Sequence, residues 1–429
     1  MHAASAATLT VIVIGLLHLY AAVVAAGAAL PAAMPHDHDA MTMAMRGVFG
    51  DYPMTRDASG TSWLPDASVH AMDHVTYGDW TLMGHAMLEG VYDWQEGPRG
   101  DELAFTSGMV MASARRDAGG GDTLNFRAML SPDPFMGKRG YPLLLASGET
   151  ADGVTPLIDR QHPHDLFMEL SASFAWQLGS ARSLFVYAGL PGEPAFGPPA
   201  FMHRPATMTS PEAPITHHWL DSTHITFGVL TAGWIQDRWK LEVSQFTGRE
   251  PDENRYDIER PRMDSTALRV SWNPGERWAL QASWADVESP EQLEAEVDER
   301  RISASALYGR ELGGGRALSA TLAWGRKAPS EGSATNAIAL EGAFEPARDW
   351  QVFGRIEWLE THELGELHED IDEIAKLSAG LRREFALGDR ARVAFGALYS
   401  LNRVDDSLRP SYGGNPDGAM VFLQFLAGT

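Results

Sequence analysis

Apolar and polar side chains alternate with a period of two residues over most of the chain. In "RWALQASWADV", Trp278 and Leu280 fall on one face, and Gln281 and Ser283 fall on the other. The segments "STALRVSW", "RISASALY", "RALSATLAW" and "DWQVFGRIEWL" repeat this arrangement. Such alternation is typical of β-strands that have one apolar and one polar face, and it is not the pattern of helices. The chain is therefore predicted to be all-β.

A soluble β-sandwich would show the same alternation, but three features favour a transmembrane barrel. The segments run to about ten residues, which suits a tilted membrane-spanning strand. Aromatic residues stand at both ends of the apolar faces. Trp350 and Trp358, for example, would lie roughly 20 Å apart along the membrane normal, close to the ~25 Å between two aromatic girdles. Short links also alternate with long ones.

Sixteen strand candidates are centred near residues 86, 109, 126, 171, 186, 229, 243, 269, 282, 306, 320, 340, 354, 381, 396 and 422. Each even-numbered strand before the last ends in a short turn such as "IQDR", "NPGER" or "ALGDR". Longer loops follow the odd-numbered strands, at 131–165, 191–222, 248–263, 288–300, 360–374 and 402–417. We therefore predict a transmembrane antiparallel β-barrel of about 16 strands, with short periplasmic turns and long extracellular loops, over residues 79–429.

This arrangement resembles the outer-membrane β-barrels of Gram-negative bacteria and, in strand number, the general porins. The resemblance covers about residues 80–427 and is architectural. It implies a location in the bacterial outer membrane, with outer-membrane lipid and lipopolysaccharide as partners. A barrel of this size encloses a water-filled lumen. The mixed-charge segment Thr247–Asp264 is interpreted as a solvated face or as a contact with lipopolysaccharide.

Two segments precede the predicted barrel. Residues 1–33 contain the apolar run Val11 to Leu30 and then small residues, which predicts a signal peptide cleaved between Ala26 and Ala33. Because no lysine or arginine precedes the run, a retained membrane anchor is the alternative. Residues 34–78 are rich in proline, glycine, aspartate, histidine and methionine without a clear period, so we predict a flexible Met/His-rich periplasmic arm.

The amino-acid composition limits the kinds of site and the partners that the chain can have. The 429 residues include no cysteine, which excludes disulfides, thiolate metal sites and cysteine nucleophiles. The formal net charge of -23 argues against nucleic acid as a partner. Thirteen of the 15 histidines lie at or before His224, and sixteen of the 18 methionines lie at or before Met208. The first half of the chain therefore carries chemistry that the second half does not.

The predicted arm is one place where histidine and methionine concentrate. Thioethers favour Cu(I), and imidazole accepts either state of copper. The arm is similar in composition to the Met/His-rich segments of outer-membrane copper-resistance proteins. A solvated tail without bound metal is the alternative. The candidate ligands are His36, His38, Met41, Met43, Met45, His70 and His74.

The first three strands extend this pattern into the barrel. In "TLMGHAMLEG", Met83, His85 and Met87 share one face with Glu89, and the opposite face suits lipid. The next strands place Met109, Met111 and Met129 on faces with polar neighbours. We therefore expect methionines from three adjacent strands to meet in the lumen. The alternative is that these flexible side chains only fill space.

Two loops carry the remaining candidates. "DRQHPHDLFMEL" should enter the fourth strand at the outer mouth, with Met168 toward lipid, and "HHWLDSTH" should enter the sixth, with Val229 toward lipid. The second loop contains seven prolines, and long loops of this kind fold into the lumen in porins. Because the two strands begin at the same rim, we expect one cluster of His162, His164, Asp165, Glu169, His217, His218, Asp221 and His224.

A mixed cluster of imidazoles and carboxylates suits Zn(II), Cu(II), Ni(II) or Co(II). A hydrogen-bonded network that pins loops together is the alternative. A hydrolytic triad built on Ser171 or Ser222 has less support, since no nucleophile elbow is present. The carboxylates are expected to raise the imidazole pKa values above about 6.5.

We therefore predict an outer-membrane channel or binding protein in transition-metal handling or efflux, with copper or another divalent transition metal as the ion and no catalytic step. The alternatives are an outer-membrane hydrolase that acts on lipid or a small ester, and a general diffusion pore with structural histidine and methionine.

Overall fold

A computed structural model of the chain describes residues 45–68, 73–365, 371–388 and 390–428. The predicted signal peptide lies outside these residues. So do five candidate ligands of the predicted arm, namely His36, His38, Met41, Met43 and His70.

The described strands form a closed antiparallel barrel with sixteen strands in its wall. Neighbouring wall strands pair in chain order, and the last pairs with the first, from Gly418 opposite Gln95 to Ala427 opposite Ala86. Each of the sixteen predicted centres falls within a different wall strand, so the predicted fold class and strand number are confirmed.

The wall strands are β2 (Trp80–Gln95), β3 (Glu102–Gly119), β4 (Asp122–Leu130), β7 (Phe167–Gly179), β8 (Arg182–Gly189), β9 (Val229–Gln236), β10 (Trp239–Phe246), β11 (Ser265–Gly275), β12 (Trp278–Val287), β13 (Glu299–Gly313), β14 (Arg316–Pro329), β15 (Thr335–Ala347), β16 (Trp350–Thr361), β17 (Asp372–Ala386), β18 (Ala391–Arg403) and β19 (Asp417–Ala427). A short strand, β1 (Asp73–Tyr77), pairs with the start of β2. The small hairpin of β5 (Tyr141–Pro142) and β6 (Arg160–Gln161) lies in the loop before β7.

Helical structure among the described residues is confined to single turns. These are α1 (His217–Leu220), α2 (Arg409–Tyr412) and the 3-10 turns Met54–Arg56, Asp133–Met136, Phe201–His203 and Ser222–His224. None of these described helices is long and apolar enough to cross a membrane.

The wall has an apolar outer face and a polar inner face. On β11, Leu268 and Val270 are 48% and 39% exposed, whereas Arg269 and Ser271 are buried inside. Trp239 and Trp272 stack on each other near the short-turn end, with ring centroids 4.9 Å apart. A closed barrel with an apolar outer belt, and with aromatic residues near the edge of that belt, is the architecture of bacterial outer-membrane proteins. This protein is located in the outer membrane.

Short links join β3 to β4, β7 to β8, β9 to β10, β11 to β12, β13 to β14, β15 to β16 and β17 to β18, all at one end of the barrel. The longest links lie at the other end, between β4 and β7 and between β8 and β9. In outer-membrane barrels the short turns face the periplasm and the long loops face outside. The candidate histidines on both long loops therefore belong to the outer half.

The N-terminal segment, residues 45–68, is folded inside the short-turn end of the barrel. The backbone N–H of Ala67 donates to Glu276 O, and the side chain of Asn273 donates to Leu64 O. Lys240 lies over the ring of Trp63, 4.6 Å from its centroid. Met45, at the start of the segment, is partly buried. A flexible arm was expected here, and for residues 45–68 the structure shows a packed segment instead, because the barrel wall supplies partners for its backbone.

The crossing loop, residues 190–228, runs from β8 through the barrel interior and returns to β9. Nearly all of it is buried, so its backbone groups require partners other than water. Inward-facing wall side chains provide them: Ser244 Oγ accepts from Ala195 N, and Ser283 Oγ accepts from Gly197 N. The side chain of Arg355 donates to the carbonyl of Ala213. The loop is thus fastened to several sides of the wall.

Two side-chain orientations differ from the expectation. Val229 is 3% exposed and Leu230 is 52% exposed, so Val229 faces the interior and not lipid, and His224 lies in a 3-10 turn before β9. Met168 is also buried inside, because a register shift opposite Met129 and Leu130 turns the start of β7. Alternation cannot be extended through a bulge or past the end of a strand.

Arg204 is expected to be essential for seating the crossing loop. Its guanidinium is fully buried and bonds to Asp221 at 2.6 Å and Glu341 at 2.6 Å. Arg204→Ala would leave two buried carboxylates unpaired, a change that costs about 3–5 kcal/mol. We expect a large drop in the thermal unfolding temperature and protease cleavage within the loop. Arg300→Ala is the matched control, since its pair with Asp286 is exposed. Equal behaviour of the two variants would contradict this role.

Candidate functional site: a histidine and methionine cluster in the barrel

Five imidazoles from the two histidine loops lie together inside the barrel. The ring centroid of His224 is 5.3 Å from that of His164 and 5.0 Å from that of His217. The ring centroid of His162 is 6.4 Å from that of His217 and 5.9 Å from that of His218. The structure therefore brings together the two segments that the sequence analysis expected to meet. Phe201 packs against the group, 5.4 Å from the ring of His217.

The helical turn α1 positions His217 and His218 against the far wall. Its Trp219 donates from Nε1 to the hydroxyl of Thr335 at 2.9 Å. On β14, Gly325 allows the close approach, since a Cβ at this position would lie 2.3 Å from the carbonyl oxygen of Trp219. A side chain at residue 325 would push the turn, and its two imidazoles, away from the wall.

In three of the imidazoles, a hydrogen bond at Nδ1 fixes the orientation of the ring. His164 Nδ1 lies 2.7 Å from Asp133 Oδ2, His217 Nδ1 lies 2.8 Å from Asp221 Oδ1, and His224 Nδ1 lies 2.8 Å from the carbonyl oxygen of Asp221. Carboxylates and carbonyls only accept, so Nδ1 donates and Nε2 of the neutral ring keeps its lone pair. Metal-binding histidines are held in this way by oxygen partners.

The Nε2 atoms of His164 and His224 are buried and have no hydrogen-bond partner among the described residues. Two imidazoles on one tetrahedral ion would have ring centroids about 5.3 Å apart, given metal–nitrogen bonds of about 2.1 Å. The observed separations of 5.0 Å and 5.3 Å match this value. The tautomers leave these Nε2 atoms available to a metal ion, and the ring spacing is compatible with a pair of imidazole ligands. Among the described residues, the nitrogens of His164, His217 and His224 do not form a group of three within 4.8 Å, so an ion bound by all three would require the rings to rotate.

Methionines from the wall and the crossing loop complete the surroundings. A cavity of about 40 Å³ is lined by the two imidazoles His162 and His164 and by four methionines, together with polar groups such as Asp133 and Glu89. Met87 and Met109 come from β2 and β3, as expected. The other two, Met202 and Met208, come from the crossing loop. Neither Met202 nor Met208 was among the predicted metal ligands, although both lie in the methionine-rich half of the chain.

A line of paired residues continues from this cavity toward the short-turn end. Met87 is opposite Met109 in the β2–β3 register, and His85 is opposite Met111, which in turn is opposite Met129. Nearer the periplasmic end, His74 on β1 is opposite Met83. Within the part of the chain that the structure describes, the Nδ1 atoms of His74 and His85 are buried without hydrogen-bond partners. Thioethers and imidazoles thus follow one side of the barrel.

The predicted carboxylates bind cations or orient neighbours. Asp165 accepts from Arg255 at 3.2 Å, and Asp221 accepts from Arg204 as well as contacting His217. Glu169 accepts from the hydroxyls of Ser171 and Tyr187. Each of these carboxylates therefore has at least one oxygen engaged by a neighbouring side chain, and Asp221 orients an imidazole as well.

Burial determines how the loop histidines titrate. Desolvation lowers the pKa of His162, His218 and His224 well below the usual 6.5. The expectation that nearby carboxylates would raise these pKa values is wrong for all three, because the loss of water disfavours the imidazolium more than the carboxylates favour it. Burial also raises the pKa of Asp165 to about 6. Neutral imidazoles are the form that binds metal.

The hydrolytic alternative has no supporting geometry. Ser171 Oγ donates to Glu169 at 2.6 Å, and Ser222 Oγ accepts from Arg301 at 2.9 Å. Among the described residues, neither hydroxyl is hydrogen-bonded to an imidazole, as a nucleophile with a general base would be.

Two charged side chains that were interpreted as surface residues lie buried in the interior of the barrel. Arg255 and Glu250 belong to the mixed-charge segment Thr247–Asp264, yet they are 4% and 8% exposed. Within the part of the chain that the structure describes, one group brings three candidate ligand atoms of histidine or acidic residues within 4.8 Å of one another, and it consists of His218, Glu250 and Glu291. A charged loop sequence does not reveal which of its side chains turn inward.

No family model and no curated protein matches this chain. Among solved structures, OmpF of Salmonella typhi, in complex with daunomycin, is similar with a TM-score of 0.53 and 11% sequence identity, over 82% of this chain and 100% of that chain. An anion-selective porin from Comamonas acidovorans has a TM-score of 0.49 and 10% identity, over 81% and 99% of the two chains. The likeness to OmpF supports the barrel fold.

Because the pKa values of the loop histidines are lowered, we expect the free energy of unfolding to fall as the pH falls. The unfolded chain takes up protons on histidine near pH 6.5 and the folded protein does not, so this part of the stability is present above pH 6.5 and is lost as the pH falls. Relative to His224→Gln, the wild type should lose stability between pH 7 and pH 5.5 with a slope of up to about 1.4 kcal/mol per pH unit, the value for one proton. Parallel unfolding curves for the two proteins across this range would contradict the lowered pKa of His224.

Proposed function

We propose that this protein is an outer-membrane channel or binding protein that takes up a soft transition-metal ion inside its barrel, with copper as the first candidate. The observation that carries this proposal is the cavity lined by both methionine and histidine, in which His164 presents a buried and unpaired Nε2. The likeness to OmpF bears on the fold alone.

The ligand types favour copper over harder ions. Thioether sulfur selects Cu(I), and imidazole binds Cu(I), Cu(II) and Zn(II). Mg²⁺ and Ca²⁺ prefer oxygen ligands alone, whereas the four thioethers and two imidazoles around this cavity suit a softer ion. Because the chain has no cysteine, its methionines are the only sulfur ligands that it can offer.

The line of paired residues on β1 to β4 supports movement of the ion along the barrel. It leads from the cavity, past Met87 and His85, to Met83 and His74 near the periplasmic end. If the ion passes directly from one set of thioether and imidazole ligands to the next, it stays coordinated throughout its movement. The direction of movement, uptake or efflux, depends on the gradient and on partners at either end.

The interior distinguishes this proposal from a general diffusion pore. In a general pore, the lumen is kept open to water. Here the crossing loop and the N-terminal segment both lie across the interior and bond to wall side chains such as Ser244 and Asn273. A purely structural role for these histidines would also leave unexplained why the buried Nε2 atoms of His164 and His224 have no hydrogen-bond partner among the described residues.

Replacing sulfur without changing packing tests the site directly. Met109→Leu and Met208→Leu remove cavity thioethers while nearly conserving volume. Using Ag(I) as a redox-stable substitute for Cu(I), we expect each change to weaken binding by about tenfold, or ~1.4 kcal/mol. Met420→Leu is the matched control for Met109→Leu, because Met420 is as buried as Met109 but does not line the cavity.

The three variants should have similar unfolding temperatures, so that a change in Ag(I) binding reports on the ligand and not on folding. An affinity unchanged in Met109→Leu and Met208→Leu, or lowered equally in Met420→Leu, would contradict a thioether site. Purified wild type in proteoliposomes should also pass Ag(I) faster than Met109→Leu, with no difference between the two for a small neutral sugar.

A further inference from the structure

Beside the methionine cavity, the outer loops bring together a second set of potential ligands. His218 lies on the crossing loop, Glu250 on the loop between β10 and β11, and Glu291 on the loop between β12 and β13. One ligand atom from each lies within 4.8 Å of the others. The set includes no thioether, and two of its three members are carboxylates, so its chemistry differs from that of the cavity.

Four polar atoms of this group are buried and have no hydrogen-bond partner among the residues that the structure describes, namely His218 Nδ1, Glu250 Oε1 and Oε2, and Glu291 Oε1. The same holds for Nη2 of the neighbouring Arg301. His218 and Glu250 are 7% and 8% exposed. Their closest charged contacts, 3.8 Å between His218 and Glu250 and 3.9 Å between Arg301 and Glu250, are too long for hydrogen bonds. Each unpaired buried group costs about 1–3 kcal/mol, so several in one place indicate a bound group that satisfies them.

The local charges favour a cation as that group. Glu299 bonds to Arg301 at 2.6 Å and to Lys327 at 3.3 Å, and so engages both neighbouring cations. Lys327 lies 3.9 Å from Glu291, beyond hydrogen-bonding distance. Three carboxylates therefore lie close to two cationic side chains, and within the described part of the chain Glu250 and Glu291 have cations only at 3.9 Å, without a hydrogen bond to either.

The ring of His218 is held in place by backbone. Gly148, in the loop between β4 and β7, has φ +108°, and a Cβ there would lie 2.5 Å from His218 Cε1. Only glycine combines this backbone conformation with such a close approach. A fourth loop therefore packs against the imidazole and limits its movement.

We propose that His218, Glu250 and Glu291 form a second metal site, which takes a divalent cation with mixed nitrogen and oxygen ligands such as Zn(II). The bound ion ties three extracellular loops together above the methionine cavity. Ligand atoms on a tetrahedral Zn(II) lie about 3.4 Å apart, so rotation of the glutamate side chains closes the remaining distance. This site goes beyond the proposed function, since it has a different ligand set and a loop-fastening role.

Zn(II) titration of the full-length protein in detergent, against a competing chelator, tests the proposal. Compared with the wild type, Glu250→Gln and Glu291→Gln should each lose one bound Zn(II) or bind it more than tenfold more weakly. Glu294→Gln is the matched control, because Glu294 lies in the same loop as Glu291 and is exposed. Zn(II) should raise the unfolding temperature of the wild type and of Glu294→Gln, but not that of the two site variants.

X-ray absorption at the zinc edge identifies the ligands of the ion that Glu250→Gln loses. Nitrogen and oxygen neighbours are expected, and sulfur in the difference between wild type and variant would overturn the proposal. So would equal Zn(II) affinity and stoichiometry in wild type, Glu250→Gln and Glu291→Gln. Should Glu250→Gln fail to fold, the less buried Glu291→Gln decides the question alone.

The two metal sites are separable by experiment. Met109→Leu should weaken Ag(I) binding and leave Zn(II) binding unchanged, whereas Glu291→Gln should do the reverse. If Met109→Leu binds Ag(I) normally while Glu291→Gln loses Zn(II), the proposed function fails and the second site stands. If each variant loses both ions, one shared site is present and the second site is overturned.

Discussion

The buried guanidinium of Arg204 is the contact on which the arrangement of the interior depends. It joins the crossing loop to the wall through Glu341, and it joins two parts of the loop through Asp221. Asp221 in turn orients His217 through its carboxylate and His224 through its backbone carbonyl. An arginine is suited to this position because it stays charged when buried and donates in several directions at once. The imidazoles are thus held at a fixed spacing by a network whose centre is not itself a metal ligand.

Two opposing demands meet in this interior. A barrel wall must face lipid outside, which forces its polar side chains inward, and a loop threaded through the lumen brings further backbone groups that need partners. Serines and arginines on the inner face meet both demands. Among the described residues, the buried side-chain atoms that remain unpaired are spread over the interior. Those of His164, His224, His218 and Glu250 belong to side chains that can bind metal ions, and they lie in the outer loops.

Much of the barrel was predictable because its lipid-facing side chains alternate strictly, as Leu268 and Val270 do. The meeting of the two histidine loops was also predictable, since β7 and β9 begin at the same rim. The alternation of polar and apolar residues wrongly assigned Met168 and Val229 to the lipid-facing side. A bulge shifts the register at Met168, and Val229 follows a buried loop. The inward turn of Glu250 depends on contacts among several loops, and the packing of residues 45–68 depends on partners from the wall. Neither leaves a periodic signal in the sequence.

The position of residues 45–68 has a consequence for the opening of the barrel. This segment precedes β2 in the chain and lies within the ring of strands, while β2 and the final strand β19 form the closing seam. Residues 45–68 bond to β10 and β11, as through Lys240 and Asn273, and these strands lie about half the ring away from the seam. The contacts that hold the segment therefore do not require a closed seam, and a barrel opened between β2 and β19 would still keep the segment docked to its wall.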